Sequence, residues 1–275
     1  MRHAVSLVII TLNEAEGIER ALCSAEFCDD VVVLDSGSTD ATREIAERCG
    51  ARVFQEPWRG YRAQKARAVE LARHDWILSL DGDEALSEAL QQELRERLPG
   101  ILSGQGASAY DFPRLTYNLG RWIRHGGWYP DRQLRLFDRR QAEWRGGEHV
   151  HERVQAKAGG EWRCERMKAD LLHWPFPTHA EQVATNNRYS SLGAQELHAK
   201  GKNFSVAKLM FKSWSKFIEC YFLKRGFLDG LPGFVIAVGA AYSVFLKWTK
   251  LWELERGEAR GLAAKAQSAR SRHSL

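Results

Sequence analysis

The chain has 275 residues, 44% hydrophobic and 27% charged, a balance that excludes the disordered, collagen-like and low-complexity classes. Its net charge of +5 is unevenly spread: residues 200–275 hold 14 Lys+Arg against 5 Asp+Glu, net +9, and the first 199 hold 26 against 30, net −4. Five dispersed cysteines without a CxxC pair argue against a disulfide scaffold or a thiolate zinc site, and suit a reducing cytosol.

The first hundred residues alternate strand and helix. Residues 4–11 (AVSLVIIT) form an apolar, β-branched run, as a strand buried on both faces should. The polar TLNE that follows is no signal-peptide cleavage site, so no secretory leader is expected. Residues 15–26 read as a helix and 30–34 (DVVVL) as the second strand. After DSGSTD comes a helix over 41–49, which Ser38 or Thr39 can cap and Gly50 can end. Residues 52–55 make a third strand, 62–73 a helix, 76–80 (WILSL) a fourth strand running into DGDE, and 87–98 a helix. Repeated βα units imply a parallel sheet with right-handed crossovers, whose ligands bind beyond the carboxyl ends of the strands. TLNE, DSGSTD and DGDE all fall at that edge.

Between 100 and 175, shorter strands at 109–114 and 133–138 flank the loop RWIRHGGWYPD. From Thr178 the chain reads helical. Residues 208–222 set Leu209, Phe211, Trp214, Phe217, Ile218, Tyr221 and Phe222 near helical spacing among Lys208, Lys212 and Lys216. The uncharged run 231–246 (LPGFVIAVGAAYSVFL) is shorter than the ~20 residues of a spanning helix. It reads as a buried helix or as a segment dipping into one leaflet, flanked by Lys224, Arg225, Lys247, Lys250, Trp248 and Trp252. The amphipathic stretch before it favours the interfacial reading. This gives three parts: a domain over 1–175, a helical, basic and aromatic membrane-associating extension over 176–255, and a flexible tail over 256–275.

Asp81-Gly82-Asp83 places two carboxylates on a tight turn at the ligand edge. Mg²⁺ is commonly held by one or two carboxylates plus phosphate oxygens, where it offsets charge on a leaving diphosphate. Asp-Gly-Asp-Glu is also ordinary turn chemistry, but Glu14 and Asp35 at the ends of neighbouring strands favour the metal reading. No GxGxxG, GxxxxGK[ST] or GxSxG occurs, which argues against a nicotinamide dehydrogenase, a P-loop ATPase and a nucleophile-elbow hydrolase.

The ordered motifs VSLVIITLNEAEGIERAL, DDVVVLDSGSTDATREIA and DWILSLDGDEALS closely resemble the family 2 glycosyltransferases. WYPDRQLRLF, EHVHERV, LLHW and the apolar stretch ending near residue 254 resemble their lipopolysaccharide-core subgroup of β-1,4-glucosyltransferases. The resemblance implies a GT-A fold: a Rossmann-like, mostly parallel sheet flanked by helices, with a C-terminal helical membrane-associating region. It implies inverting transfer of a hexose, glucose first, from a UDP-sugar in a single displacement. Thr11, Asn13 and Glu14 would then line the nucleotide pocket, and Asp35 would accept from the uracil N–H. Asp81 and Asp83 match the DxD motif, with Asp83 the direct ligand of Mg²⁺ or Mn²⁺ and Asp81 near ribose or sugar as well as metal. Lys65 carries over from a QKN-like stretch, but Ala66 stands where relatives often have Asn.

An acceptor hydroxyl needs a general base within hydrogen-bond reach. The resemblance points to Glu152, with Glu148 second; a salt bridge from Glu152 to Arg153 or Arg145 is the competing reading. His149 and His151 read as pocket or core histidines rather than a metal pair. Asp131 and Arg132 sit on a loop that could gate donor or acceptor, and Trp128 and Tyr129 could stack on a sugar or simply pack. His173-Trp174 closes a strand-like run and reads as structural, with diphosphate contact the lesser alternative. The expected partners are a UDP-sugar, a lipid-linked saccharide such as the lipopolysaccharide inner core, and the cytoplasmic face of the inner membrane, with no nucleic acid. Transfer to polyprenyl phosphate and non-enzymatic surface binding are the alternatives.

Overall fold

The computed structural model describes residues 2–146, 152–158 and 162–272, with side chains of the last helix described to Gly257. The elements in chain order are β1 (His3–Thr11), α1 (Ile18–Ser24), β2 (Cys28–Asp35), α2 (Thr42–Arg48), β3 (Arg52–Gln55), α3 (Tyr61–Glu70), β4 (Trp76–Asp81), β5 (Glu84–Leu86), α4 (Glu88–Leu102) and β6 (Ala109–Asn118). Then follow β7 (Arg121–Ile123), β8 (Asp131–Asp138), β9 (Ala142–Arg145), β10 (Arg153–Ala156), β11 (Cys164–Arg166), β12 (Leu171–His173), α5 (His179–Ala199), α6 (Val206–Ile218) and α7 (Gly230–Arg272). They divide into two compact units: Met1–Tyr117 with Tyr129–Pro175, and Asn118–Trp128 with Phe176–Leu275.

The first unit is built on one mixed sheet in the order β3-β2-β1-β4-β8-β6-β12-β5. Its first four strands are parallel, with Ile10 opposite both Leu34 and Asp81. β8 enters antiparallel between β4 and β6, so the sheet is more mixed than the βα repeat predicts. Strand periodicity explains its burial. Val5, Leu7 and Ile9 of β1 face a core with Ile18, Leu22, Leu90 and Leu94, whereas Val8 faces Val32, Leu34, Ala68 and Trp144 on the other side.

Two local expectations change. Ser38 and Thr39 do not cap α2: Ser38 Oγ donates to Asp35, and the Thr39 N–H donates to Asn13 Oδ1 (2.8 Å). These residues stitch the ligand-edge loops together instead. α4 starts on Ser87, whose Oγ accepts from the Leu90 N–H, and continues through Pro99 because Leu98 and Ile101 are both buried.

The second unit is helical. Buried Asp229, just before α7, accepts from the backbone N–H groups of Arg124 (3.1 Å) and His125 (2.8 Å), and pairs with His125 Nδ1 (3.1 Å). A small core of Ala194, Leu209, Trp248 and Leu251 joins α5, α6 and α7. The run 231–246 lies inside α7, which is long and apolar enough to cross a membrane, yet only 22% of its most apolar stretch is buried. α7 continues to Arg272 through most of the stretch expected as a flexible tail, in keeping with its alanine-rich composition.

Candidate active site

The ligand edge is made by the loops after β1, β2 and β4. Asn13 adopts a left-handed conformation (φ 56°), and its N–H donates to Ser38 Oγ (2.8 Å). The Glu14 N–H donates to Thr42 Oγ1 (2.8 Å), and the Ala15 N–H to Asp40 Oδ2 (3.1 Å). TLNE and DSGSTD therefore form one interlocked rim. Asp35 is fully buried and accepts from the Gly37 and Ser38 N–H groups (3.0 and 2.9 Å) and from Ser38 Oγ. A carboxylate offers about four lone-pair sites, so Asp35 keeps capacity for one further donor. Thr11 Oγ1 and Gln64 Oε1 are buried without a hydrogen-bond partner among the described residues.

Alternating charges run across the mouth of the sheet. Lys65 Nζ lies 2.9 Å from Asp81 Oδ1 and 3.5 Å from Glu152 Oε1. Arg135 Nη2 donates to Asp81 Oδ2 and to Glu84 Oε1, both at 2.5 Å, and Arg114 links Glu84 (3.0 Å) to Asp131 (2.5 Å). Burial opposes ionisation of Asp81, but Arg135 and then Lys65 outweigh it and hold the carboxyl well below its usual range. Arg135 is 3% exposed, and burial alone would weaken its charge; Asp81 and Glu84 reverse that and raise its pKa. Lys65 also sits over the Trp144 ring at 4.8 Å.

Asp83 is less encumbered. Its described ion-pair neighbour is His173, with Nε2 at 3.4 Å, and that ring is steadied by Thr116 Oγ1 at 3.2 Å from Nδ1. Glu14 lies under the turn, where a Cβ on Gly82 would come within 2.9 Å of its Cγ, so only glycine fits. The Glu14 carboxyl is pushed up to about 7, first by burial and then by Asp83, Asp81 and Asp40. Such crowding of negative charge is what a divalent cation relieves. Among the described residues no three His, Cys, Asp or Glu side chains form a metal cage. Mg²⁺ or Mn²⁺ would fit here only as a cation completed by phosphate oxygens and water, and Asp83 with His173 beside it are the residues that could hold it.

The sequence-predicted residues are distributed as follows. Asp81, Lys65 and Glu152 share one network, and Thr11, Asn13, Glu14 and Asp35 end or follow the adjacent strands. Glu152 pairs with Lys65 rather than with Arg153 or Arg145. Asp131 joins the network through Arg114, while Arg132 is engaged by Asp111. Trp128 belongs to the second unit, where it lines a cavity. Glu148, His149 and His151 lie outside the described residues. Arg135 and Glu84 were missed, although a signal existed: an arginine in the apolar strand RLF must find a carboxylate if it is buried.

Paired carboxylates thus stand at the carboxyl edge of a Rossmann-like sheet, where such sheets bind ligands. Residues 6–147 match the family model for glycosyl transferase family 2, and the chain belongs to that family. It is 32% identical to an uncharacterized glycosyltransferase of Rickettsia bellii over 91% of this chain and 86% of that one. It is 31% identical to the lipopolysaccharide core biosynthesis glycosyltransferase LpsC of Rhizobium meliloti, over 93% of this chain and 94% of the relative. Glucosyl-3-phosphoglycerate synthase from Mycobacterium tuberculosis, solved with Mn²⁺, UDP and glucosyl-3-phosphoglycerate, is 26% identical over 41% of this chain and 43% of its own, with a TM-score of 0.33; this overlap is too partial to inform the ligands.

Proposed function

We propose that this enzyme transfers a hexose, glucose first among candidates, from a UDP-sugar to a lipid-linked saccharide of the lipopolysaccharide inner core, with inversion. The observation that carries the reading is the charge network Glu152–Lys65–Asp81–Arg135–Glu84, set beside the freer Asp83 at the strand ends. Thr11, Asn13, Glu14 and Asp35 line the nucleotide, with Asp35 accepting from the uracil N–H. Lys65 and Asp81 meet the ribose and sugar. Asp83 and His173, with Asp81 alongside, would hold a divalent cation, which would supply charge neutralisation at the diphosphate. Glu152 takes the acceptor hydroxyl's proton as that oxygen bonds to the anomeric carbon; the bond to the diphosphate breaks and UDP leaves. Asp131, Arg132 and Trp128 serve the acceptor.

The LpsC relative supports the choice of acceptor. The second unit supports a membrane-side location: Phe211, Trp214, Leu223 and Leu231 are 67–75% exposed, and residues 200–275 carry net +9, a combination suited to the anionic cytoplasmic surface of the inner membrane. The three-part division, with catalytic domain, membrane-associating extension and tail, is part of the same proposal. A panel of nucleotide sugars with core-lipid acceptors, with and without EDTA, tests it through nucleoside diphosphate release. UDP-hexose turnover that EDTA abolishes is expected, and the absence of turnover from every donor would sink the reading. Glu152→Gln should abolish transfer to a saccharide hydroxyl; retained turnover would instead favour an acceptor already anionic, such as polyprenyl phosphate.

A further inference from the structure

In the second unit, α5 presents His179, Gln182, Val183 and Asn186, spaced to share one helix face. That face meets α7. At one end the two helices close tightly. Ala194, Trp248 and Leu251 pack together, and Lys250 Nζ sits 2.6–2.7 Å from four acceptors, Asn187 O and Oδ1 and the hydroxyls of Ser190 and Ser191, among which its three N–H groups are shared. At the other end they part around Gly239, where a Cβ would meet only Asn186 Nδ2, at 3.9 Å. The gap is a partly open cavity of about 360 Å³, lined also by Trp128 and Phe176.

Helix pairs ordinarily fill such a space with side chains. Here α7 spends glycine and alanine on it, at Gly239 and Ala240, and its volume falls in the roughly 300–1,000 Å³ range of small-ligand sites. The walls are mostly carbon. The polar groups are few and partly committed to each other: His179 Nδ1 lies 3.0 Å from Gln182 Oε1, which also accepts from Asn118 Nδ2 at 3.4 Å. Val183, Phe234, Val238 and Tyr242 on its walls are 43–53% exposed, so the pocket opens to solvent and holds apolar surface against water.

What fits is a hydrocarbon chain with a polar group at one end. Phe234, Val238 and Tyr242 line this cavity and also an adjoining groove of about 490 Å³, walled by Met210, Trp214 and Phe217. Cavity and groove thus adjoin along one apolar ridge of α7, in a stretch, residues 200–275, whose net +9 complements a phosphorylated amphiphile. We propose that the α5–α7 cavity takes one acyl chain of the lipid-linked acceptor, with His179, Gln182 and Asn186 meeting the first polar group of that acceptor. This rests on the transferase reading above and adds to it a lipid-anchor subsite.

Calorimetric titration with dodecyl maltoside below its micelle concentration tests the site without turnover. The wild type should show one saturable site per chain, maltose should not bind there, and Gly239→Leu should weaken binding at least 10-fold. Val183→Trp, at an exposed rim position, repeats the test if Gly239→Leu fails to fold. Unchanged affinity in a folded variant, or maltose binding as tightly as dodecyl maltoside, overturns the proposal. With acceptors, the preference of the wild type for an acylated over a de-acylated core saccharide should collapse in Gly239→Leu through KM. Partition onto phosphatidylglycerol vesicles should persist in that variant; a parallel loss would assign the cavity to bulk lipid and overturn the acceptor assignment. If the wild type turns over no nucleotide sugar, the transferase reading falls while the titration still decides whether the cavity binds a chain.

Discussion

The first unit buries charge, and the second exposes hydrocarbon. Glu84 is 0% and Arg135 3% exposed, whereas Leu223 and Phe211 are 75% and 68% exposed. Both depart from the usual partition of residues between inside and outside. Folded proteins tolerate such departures mainly where function requires them. In the first unit every buried charge has an opposite neighbour, so the departure is a preorganised polar site. In the second, Trp214 stacks on Phe217 and Tyr242 on Phe245, yet Trp214 and Tyr242 stay 67% and 53% exposed and stand in a cationic stretch. The contrast separates catalytic electrostatics from attachment, and it can be broken one side at a time.

The largest effect belongs to Asp83. Asp83→Ala should lower transferase turnover by about 10²–10³-fold, the usual cost of removing one group that meets developing charge. Melting should barely change, because this side chain is partly exposed and its described ion pair is a 3.4 Å contact to His173. Equal turnover in the variant would remove Asp83 from the reaction.

Arg135→Met removes the cation shared by Asp81 and Glu84 and leaves each with one partner, Lys65 and Arg114 respectively. The expected cost is up to about 3–5 kcal/mol, read by urea denaturation, since fully buried Glu84 loses one of two counter-ions but keeps its desolvation penalty. Arg135→Lys should recover only part of it, because one ammonium cannot reproduce the planar fork. A cost near zero for Arg135→Met would mean that the network is ornamental to stability.

The second unit should behave in the opposite sense. Phe211→Ser with Trp214→Ser should leave stability within about 0.5 kcal/mol, as exposed positions do, while reducing partition onto anionic vesicles about 10-fold or more. That follows from losing side chains worth roughly 1.5–3 kcal/mol each on burial. If the double variant instead unfolds or binds vesicles normally, the exposed face is not an attachment surface.

The smallest effect is a pH slope. Glu14 has a folded pKa of about 7 against an ordinary 4.5, so the native state binds more protons than the unfolded state between those values. Stability of the metal-free protein should therefore fall as pH rises from about 4.5 to about 7 and level off above. Glu14→Gln should flatten that slope, and a saturating divalent cation should reduce it. A slope unaffected by Glu14→Gln would place its origin elsewhere.

The parallel half of the sheet was legible because its strands are continuous apolar runs ending in polar loops: residues 52–55 were read to the residue, and Asp81 at the end of β4 was placed at the ligand edge. β8 was read as a strand over 133–138, but its antiparallel place between β4 and β6 was not, because βα repetition says nothing about strands that follow the last crossover. Of the candidate site residues, Asp81 and Asp83 were marked by their turn after β4 and Lys65 by the family resemblance. Arg135 and Glu84 were not, since their partnership spans 51 positions and depends on sheet register. The cavity beside Gly239 was invisible for a related reason. Small residues in a helix signal close packing as readily as a gap, and only the splay between α5 and α7 tells them apart.

Calorimetric titration of UDP into the wild-type protein, with and without Mg²⁺ or Mn²⁺, tests the central claim most directly. The account predicts one saturable site that tightens at least 10-fold with the cation, and loses that dependence in Asp83→Ala. Binding that is absent, or equally tight with EDTA and in Asp83→Ala, would contradict it.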